Sequence, residues 1–391
     1  MPGPVTATFG SWASPITSDL IAAASVGLHD VLLDGDTIYW VEGRPQEAGR
    51  YVLVRRNADG TSADVNPPPI NARTRVHEYG GGGAVVAGGV AYVSNFRDQR
   101  LYRIAPGAAP EPMTPAPPDP NNPDVSLRYA DGRIDTARGL WVGVREDHLD
   151  RAREAVNTVV AVPLPGGGPG TVLVKGNDFY SSPRLSPDGK QLAWLCWNHP
   201  NMPWVGTELW VAAFDGGAIA NATKVAGGPA ESVFQPEWAP DGRLYFVSDK
   251  SGWWNLYRRE SDGTVAAICP RSAEFGQPAW TFGISTYAFL SDREAVCSYV
   301  EGLGRLARLD LSTGTLTPLD LPYTEFGAVR AGGGKVVFRG GSGTTPAAVV
   351  ALDPGSGATS VLRSATPDAD LARVKPYLTA PTPITFPTAG G

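Results

Sequence analysis

A chain of 391 residues with 42% hydrophobic content can bury a sizeable core, and its 47 glycines and 36 prolines punctuate many short segments. Its net charge of −6, with no basic run longer than two residues, disfavours a nucleic-acid partner, which requires a concentrated basic face. No apolar stretch approaches the roughly 20 residues that span a bilayer, so no membrane partner is expected either.

The N-terminus and the cysteines bear on the cellular compartment. Residues 1–12 have neither the basic nor the apolar region of a secretion signal. Cys196, Cys269 and Cys297 are too few and too scattered to form a disulfide framework. We therefore expect a reduced, cytoplasmic protein.

The first predicted element is a short helix. Thr17 or Ser18 can cap its N-terminus, and Gly27 can end it. Its apolar face would consist of Leu20, Ile21 and Ala24. Because the pattern beyond this helix changes to strands, we assign residues 1–27 to an N-terminal arm.

Three loosely patterned strand units follow the arm, at residues 31–56, 84–104 and 139–174. Asp34-Gly35 is typical of a hairpin turn, since both residue types tolerate positive φ at little cost. Asp131-Gly132 is predicted to be a turn of the same kind, in front of the third unit.

Two clear copies of the repeat come next, at residues 182–214 and 235–258. Each has a strand, an Asp-Gly turn, a second strand, a longer loop, a third strand, a turn and a fourth strand. Two more units, at 287–311 and 335–353, bring the total to seven units of about 40–55 residues, the period of a propeller blade. A lone four-stranded sheet would leave two apolar faces uncovered, and radial packing buries both.

The sequence therefore predicts an all-β protein, a seven-bladed β-propeller over residues 28–365, with six or eight blades left open. Residues 366–391 are rich in proline and are predicted to form a C-terminal linker. A short strand at 384–386 would have no partner sheet. We expect the linker to lead toward a domain that this sequence lacks.

Motifs for catalysis and cofactor binding are missing from the sequence. No Gly-x-Ser-x-Gly turn is present, and no phosphate-binding loop ends in Lys-Ser or Lys-Thr. The four histidines lack the spacing of a zinc site, so no metal or other cofactor is expected.

The first candidate substrate-binding group is His77, Glu78 and Tyr79, directly before a run of four glycines. These residues would suit a loop at the mouth of the channel. The alternative is a tight connection between blades, in which Glu78 pairs with an arginine.

Two further candidate groups lie on predicted loops. Glu146 and Asp147 could together hold a cationic group such as a peptide α-amine, although a solvated loop is the alternative. Of Trp253 and Trp254, one is expected in the core because neighbouring strand residues face opposite ways. The other could line a pocket or a domain interface.

Several motifs together resemble the propeller of the prolyl oligopeptidase family, in its dipeptidyl aminopeptidase and acylaminoacyl peptidase branch. The resemblance covers essentially all of residues 15–391. It rests on Arg75-Val-His-Glu-Tyr-Gly-Gly-Gly, Arg145-Glu-Asp-His, Ser182-Pro-Arg-Leu-Ser-Pro-Asp-Gly-Lys, His199-Pro-Asn-Met-Pro-Trp and Gly252-Trp-Trp-Asn-Leu-Tyr-Arg.

The resemblance implies a propeller that sits over a C-terminal α/β-hydrolase domain with a Ser-Asp-His triad. That domain is not in this sequence, so no catalytic residue can be assigned. The implied function is a substrate-gating domain of a serine exopeptidase that acts on short peptides. The implied partners are the hydrolase domain and the peptides.

Two other functions stay open. A free-standing propeller could bind proteins on its top face. Alternatively, an enzyme could use Glu78, Glu146 and Asp147 for acid–base chemistry in its central channel. We expect no catalytic activity from this chain alone.

Overall fold

A computed structural model describes residues 6–23 and 25–389 of the chain. Within these residues the strands form seven four-stranded antiparallel sheets, and in each sheet the strands are hydrogen-bonded in sequence order. The first strands of successive sheets contact one another around an axis, including the last with the first. The predicted seven-bladed β-propeller is therefore confirmed.

The first three blades run from residue 27 to residue 174. Their strands are β1 (Gly27–Asp34), β2 (Thr37–Arg44), β3 (Arg50–Arg56) and β4 (Ser62–Asp64) in blade 1; β5 (Ala84–Ala87), β6 (Val90–Ser94), β7 (Leu101–Ile104) and β8 (Glu111–Pro112) in blade 2; and β9 (Leu127–Asp135), β10 (Leu140–Asp147), β11 (Val156–Pro163) and β12 (Thr171–Val174) in blade 3.

The other four blades run from residue 179 to residue 364. Their strands are β13 (Phe179–Leu185), β14 (Gln191–Trp197), β15 (Glu208–Phe214) and β16 (Ile219–Gly227) in blade 4; β17 (Val233–Trp238), β18 (Leu244–Ser248), β19 (Asn255–Arg259) and β20 (Val265–Ala267) in blade 5; β21 (Tyr287–Phe289), β22 (Glu294–Glu301), β23 (Leu303–Asp310) and β24 (Leu316–Pro318) in blade 6; and β25 (Glu325–Gly332), β26 (Lys335–Gly341), β27 (Ala348–Leu352) and β28 (Thr359–Ser364) in blade 7.

The core consists of apolar layers between neighbouring blades. Blades 3 and 4, for example, share a layer in which Val142 and Val159 meet Leu192 and Trp194. These side chains occupy alternate positions along their strands. Since successive residues face opposite sides of a sheet, apolar residues on both sides bury both faces of each blade.

Innermost strands carry bulges that aim side chains into the central channel. The pairing register shifts at Asp131, Ser182, Gln235 and Ala328, and all four residues have positive φ, between 47° and 54°. A bulge bends the strand and redirects its side chains, so charged residues of the inner strands come together on the propeller axis.

The predicted turn at Asp131-Gly132 is wrong, because both residues lie inside β9. A Cβ atom at Gly132 would collide with the buried Trp141 indole on the paired strand, so this position requires glycine. The glycine therefore makes room for a core tryptophan, and the Asp-Gly pair forms a bulge.

Ring closure needs no strand exchange, since all four strands of every blade come from one continuous segment. Blades 7 and 1 share an apolar layer that includes Val31, Trp40 and Val337. One backbone hydrogen bond, from Val26 N–H to Ala365 O at 2.9 Å, spans the joint.

One end of the ring, which we call the loop face, carries the connections between blades and the loops between the second and third strands of each blade. Because the strands are antiparallel, β1 begins and β28 ends on this same face. Both terminal segments therefore leave the propeller there.

The terminal segments only partly match expectation. The predicted N-terminal helix is α1 (Ser18–Ala23), in which Thr17 Oγ1 accepts the Leu20 N–H. Ala24 lies outside the described residues, and Gly27 begins β1 instead of ending the helix. A second helix, α2 (Asp368–Val374), lies in the segment predicted as a linker, and residues 384–386 are not a strand.

Two single 3₁₀ turns, Pro45–Glu47 and Lys375–Tyr377, complete the assignment for residues 6–23 and 25–389. In this part of the chain no helix has the length and apolar character needed to cross a membrane.

Candidate functional site

Two loops meet over the central channel on the loop face. We call residues 74–83 the crossing loop and residues 276–284 the opposing loop. Phe282 N–H donates to Gly80 O at 2.9 Å, and Gly81 forms a parallel bridge with Phe282. Gly81 has φ of 85°, and a Cβ atom there would overlap the Phe282 backbone. Glycine is needed because the two backbones touch.

The crossing loop is also tied to the channel below it. Gly82 O accepts the Asp131 N–H at 2.9 Å, and Gly82 N–H donates to Asp30 Oδ2 at 3.2 Å. The predicted location of this glycine run, at the mouth of the channel, is thus what the structure shows.

His77 points inward from the crossing loop. Its ring packs against Phe179, Trp197 and Phe282, with centroid separations of 5.2, 5.5 and 4.7 Å. Burial lowers the pKa of His77, so the imidazole is neutral near neutral pH. This side chain supports the loop from below, and its predicted contact with substrate stays untested.

Glu146 lies beneath the same loop and is 4% exposed. One carboxylate oxygen accepts the His77 backbone N–H at 3.2 Å, and the other lies 2.7 Å from His148 Nε2 and 3.5 Å from Arg128 Nη1. Burial opposes ionisation of Glu146, but the hydrogen bond with His148 and the nearby positive charges outweigh burial and lower its pKa. Glu146 therefore anchors the loop as a carboxylate.

Glu78 occupies the outer side of the crossing loop, and its side chain is 71% exposed. Its Oε1 accepts a hydrogen bond from Arg128 Nη1 at 2.8 Å, so the predicted pairing of Glu78 with an arginine is present. Among the described residues no group donates to the second oxygen, Oε2. A carboxylate with one oxygen held and the other open can accept a hydrogen bond from a cationic ligand.

Tyr79, the residue after Glu78, belongs to a set of neighbouring aromatic side chains on the loop face. Tyr79 is 61% exposed and lies 5.5 Å from Trp280, which in turn lies 4.3 Å from Trp204. We call Tyr79, Trp280 and Trp204 the aromatic row. Tyr79 and Trp280 are exposed and Trp204 is half-buried, and exposed aromatic groups suit contact with an apolar or aromatic ligand group.

Glu146 and Asp147 do not form the predicted carboxylate pair. They are neighbours on β10, and successive strand residues point to opposite faces of the sheet. Asp147 accepts the Leu149 N–H at 3.0 Å within its own turn. A joint site for one amine is therefore not assembled from these two residues.

Trp253 and Trp254 separate as the sequence indicated. Trp254 stacks on Phe234 with an interplanar angle of 12° and covers Gly276. Trp253 is 41% exposed on the loop face. Trp254 is thus half-buried against the core, and Trp253 is available for contact with a partner.

Below the crossing loop, a channel cluster of six charged residues lines the axis: Asp30, Asp131, Arg133, Arg184, Glu237 and Arg330. Arg184 lies 3.2 Å from Asp131 Oδ1 and 2.8 Å from Glu237 Oε1, and Arg133 lies 3.7 Å from Glu237. With three acids and three arginines the cluster has no net charge.

Opposite charges decide the ionisation of this cluster. Burial would raise the pKa of Asp131 and of Glu237, but Arg184 and Arg133 more than offset burial and lower both. Burial lowers the pKa of Arg133 to about 10. Asp30 differs, because burial raises its pKa more than Arg330 lowers it. Asp131, Arg133, Arg184 and Glu237 thus form an ion-pair network, whereas Asp30 and Arg330 make no ion pair within 4 Å among the described residues.

Sequence reasoning did not identify Arg128, His148, Trp280 or the channel cluster. Arg128 and Glu78 are 50 residues apart, and such pairs follow from how blades are arranged around the axis. His148 lies two residues after Glu146 in the sequence, and this proximity was the one available signal. No group of three or more His, Cys, Asp or Glu within residues 6–23 and 25–389 could hold a metal ion.

No protein-family model matches the chain, and no curated protein does. Solved structures do match. The chain is 36% identical to a puromycin-hydrolyzing peptidase of Mycobacterium tuberculosis, over 93% of this chain and 57% of that one, with a TM-score of 0.86. A puromycin hydrolase gives 36% identity, the same coverage and a TM-score of 0.85.

A more distant match shows the fold alone. Prolyl oligopeptidase B from Galerina marginata is 13% identical over 89% of this chain and 52% of that chain, with a TM-score of 0.61. The chain thus spans little more than half the length of these relatives.

Proposed function

We propose, from the premise that this chain is a propeller domain of the prolyl oligopeptidase family, that it caps a serine exopeptidase and holds the amino end of small substrates. The observation that carries the proposal is the open Oε2 atom of Glu78, which directly precedes Tyr79 of the aromatic row in the crossing loop. Such a pair of features matches a substrate with a free α-amine and an apolar first side chain.

The proposed partner is an α/β-hydrolase domain seated on the loop face. Both terminal segments leave the propeller on that face and carry large exposed apolar side chains, among them Trp12 at 68%, Ile384 at 80% and Phe386 at 68%. Exposed apolar groups of this size are typical of surfaces that another domain covers.

Gating of substrate size follows from the same arrangement. The crossing and opposing loops touch over the axis, and the channel cluster lies below them. A folded protein cannot pass such a centre, so we propose that only short chains reach the space between the loop face and the hydrolase domain.

Puromycin fits this proposal chemically. It is an amide whose aminoacyl part has a free α-amine and an aromatic ring, the two groups that Glu78 and the aromatic row would bind. We therefore favour aminopeptidase over acylaminoacyl specificity, because an acylated amine carries no positive charge for Glu78 to pair with.

Binding to the chain itself tests this proposal. Puromycin and N-acetylpuromycin would be titrated by calorimetry into wild-type protein, Glu78→Gln and the control Glu111→Gln. Glu111 is a matched control because it is an exposed glutamate, 58% accessible, paired with Arg103 on the edge of blade 2.

We expect wild-type protein to bind puromycin about tenfold more tightly than its N-acetyl form, which corresponds to one charge-assisted hydrogen bond. Glu78→Gln should remove that difference, and Glu111→Gln should keep it. Equal binding of both compounds to wild-type protein would refute the amine site.

A further inference from the structure

A second concave site, which we call the arginine pocket, opens on the loop face between blades 1 and 7. It has a volume of about 280 Å³. The side chains that matter to its chemistry are His29, Asp30, Tyr51, Arg73, Tyr79 and Arg339.

Arg73 is held in place by rings. Its guanidinium lies over Tyr51 at 5.1 Å and over Phe96 at 4.7 Å from the ring centroids. Among the described residues it makes no ion pair and its side chain donates no hydrogen bond. Stacking fixes the plane of a guanidinium and leaves its edge N–H groups free to bind an oxyanion in a fork.

Arg339 faces the pocket from β26. Its Nη1 donates to Leu28 O at 3.0 Å, and no carboxylate in the described part of the chain lies within ion-pair distance. Partly buried guanidinium groups without a counter-ion are costly, so two of them in one concavity call for an explanation.

Asp30 is the acid that faces this pocket, and it does not neutralise the arginines. It lies among the channel cluster, where three acids match three arginines, and its Oδ2 accepts the Gly82 N–H at 3.2 Å. Burial raises its pKa more than the charges of Arg330 and Arg339 lower it. Arg73 and Arg339 are therefore in excess of the local acids, in a chain of net charge −6.

His29 adds no charge to this balance near neutral pH. It stacks on Tyr51 at 4.4 Å, and burial followed by repulsion from Arg339 and Arg73 lowers its pKa. The positive potential of the pocket thus comes from the two arginines.

We infer that the arginine pocket binds the free α-carboxylate of a short peptide whose amine is held at Glu78. The inference rests on the proposed function, because it assigns the other end of the same substrate. Tyr79 lines the pocket and directly follows Glu78 in the crossing loop. An extended peptide advances about 3.3–3.6 Å per residue, so a peptide of a few residues can span two sites this close in the loop.

The inference makes a distinction between substrates. Puromycin has no carboxylate and would use the amine site alone, whereas a tripeptide would use both sites. The two sites together would then favour short peptides, since a longer chain would place its carboxylate beyond the pocket.

Calorimetric titration of the chain with Phe-Ala-Ala, its C-terminal amide and puromycin tests this. The variants are Arg73→Met, Arg339→Met and the control Arg97→Met. Arg97 is an exposed arginine on the loop face whose side chain makes no hydrogen bond, ion pair or ring contact among the described residues, so it controls for the general loss of one positive charge.

We expect wild-type protein to bind the free acid about tenfold more tightly than the amide, and each pocket variant to lose most of that preference. Puromycin binding should not change in either variant, and Arg97→Met should match wild type. The acid–amide comparison on wild-type protein needs no variant, so it decides the matter even if a substitution impairs folding.

Equal affinity for acid and amide would overturn the inference, as would a preference that survives both pocket variants. Binding of inorganic phosphate that depends on Arg73, without binding of the peptide acid, would also overturn it. The protein could bind puromycin more tightly than N-acetylpuromycin and yet bind Phe-Ala-Ala and its amide equally. In that case the amine site stands and only the arginine pocket fails.

Discussion

The central channel and the loop face use charge in opposite ways. In the channel cluster, three acids and three arginines are packed around the axis, and Arg184 alone contacts two of the acids. On the loop face, Glu78 keeps an open oxygen, and Arg73 has no ionic partner in the described structure. Charges that hold blades together are satisfied internally, and charges available to a ligand lie where the blades end.

The difference has an energetic basis. Removing one partner of a buried ion pair leaves an uncompensated charge and lowers stability, whereas an exposed ion pair contributes little to stability. Substitutions in the channel should therefore act on stability, and substitutions on the loop face should act on binding.

The largest effect is expected for Arg184→Met. Asp131, which is 2% exposed, would lose its closest counter-charge, and Glu237 would lose its shorter ion pair. We expect the free energy of unfolding to fall by about 4 kcal/mol. Urea denaturation followed by tryptophan fluorescence would measure it.

Arg97→Met is the matched control for that change and should leave the midpoint of unfolding unchanged. A fall of less than about 1 kcal/mol in Arg184→Met would show that the channel pairs are dispensable. The contrast between channel and loop face would then be lost.

A smaller effect should separate the two neighbouring tryptophans. Trp254→Ala removes a ring stacked on Phe234 and should cost about 3 kcal/mol. Trp253→Ala removes an exposed ring and should cost less than about 0.5 kcal/mol. Thermal melts of both variants would check this, and equal melting temperatures would contradict the assignment of one ring to the core.

Acid should remove the stability that the ion pairs of the channel cluster contribute. The pKa values of Asp131 and Glu237 are lowered in the folded state, because their arginine partners outweigh burial. Their contribution to stability is present above the unfolded pKa, about 4, and is lost as the pH falls through the folded values. Asp30, whose pKa is raised, acts in the opposite direction.

Urea midpoints measured from pH 7 to pH 3 would reveal this loss, and Arg184→Met should show a shallower fall because both carboxylates have lost their main partner. A steeper fall in the variant than in wild-type protein would contradict the role of the ion pairs.

The sequence predicted the blades well because hairpins are local. Asp34-Gly35 joins β1 to β2 as expected, and each clear repeat became one sheet. Asp131-Gly132 was misassigned because two non-local demands override the turn preference: the Trp141 indole lies against Gly132, and Asp131 accepts hydrogen bonds from Ser182 and Arg184. The α2 helix was missed among prolines.

The candidate site was predicted in position but not in composition. The glycine run indicated a loop at the channel mouth, and a partner arginine for Glu78 was considered. The partner is Arg128 of blade 3, and its identity follows only from blade 3 lying next to blade 2 in the ring. The pocket between Arg73 and Arg339 joins residues of the first and last blades, so it exists only once the ring has closed.

The smallest stability effect is expected for Glu78→Gln, and it tests the comparison most directly. The Glu78 side chain is 71% exposed, so its pair with Arg128 should contribute no more than about 0.5 kcal/mol. Arg128 would keep the Arg75 carbonyl at 3.1 Å and Glu146 at 3.5 Å. Urea denaturation should therefore superimpose on wild type, while the preference for puromycin over its N-acetyl form disappears. A loss of stability near that of Arg184→Met would instead make Glu78 a structural carboxylate, because a group needed to hold the crossing loop is not free to bind an amine.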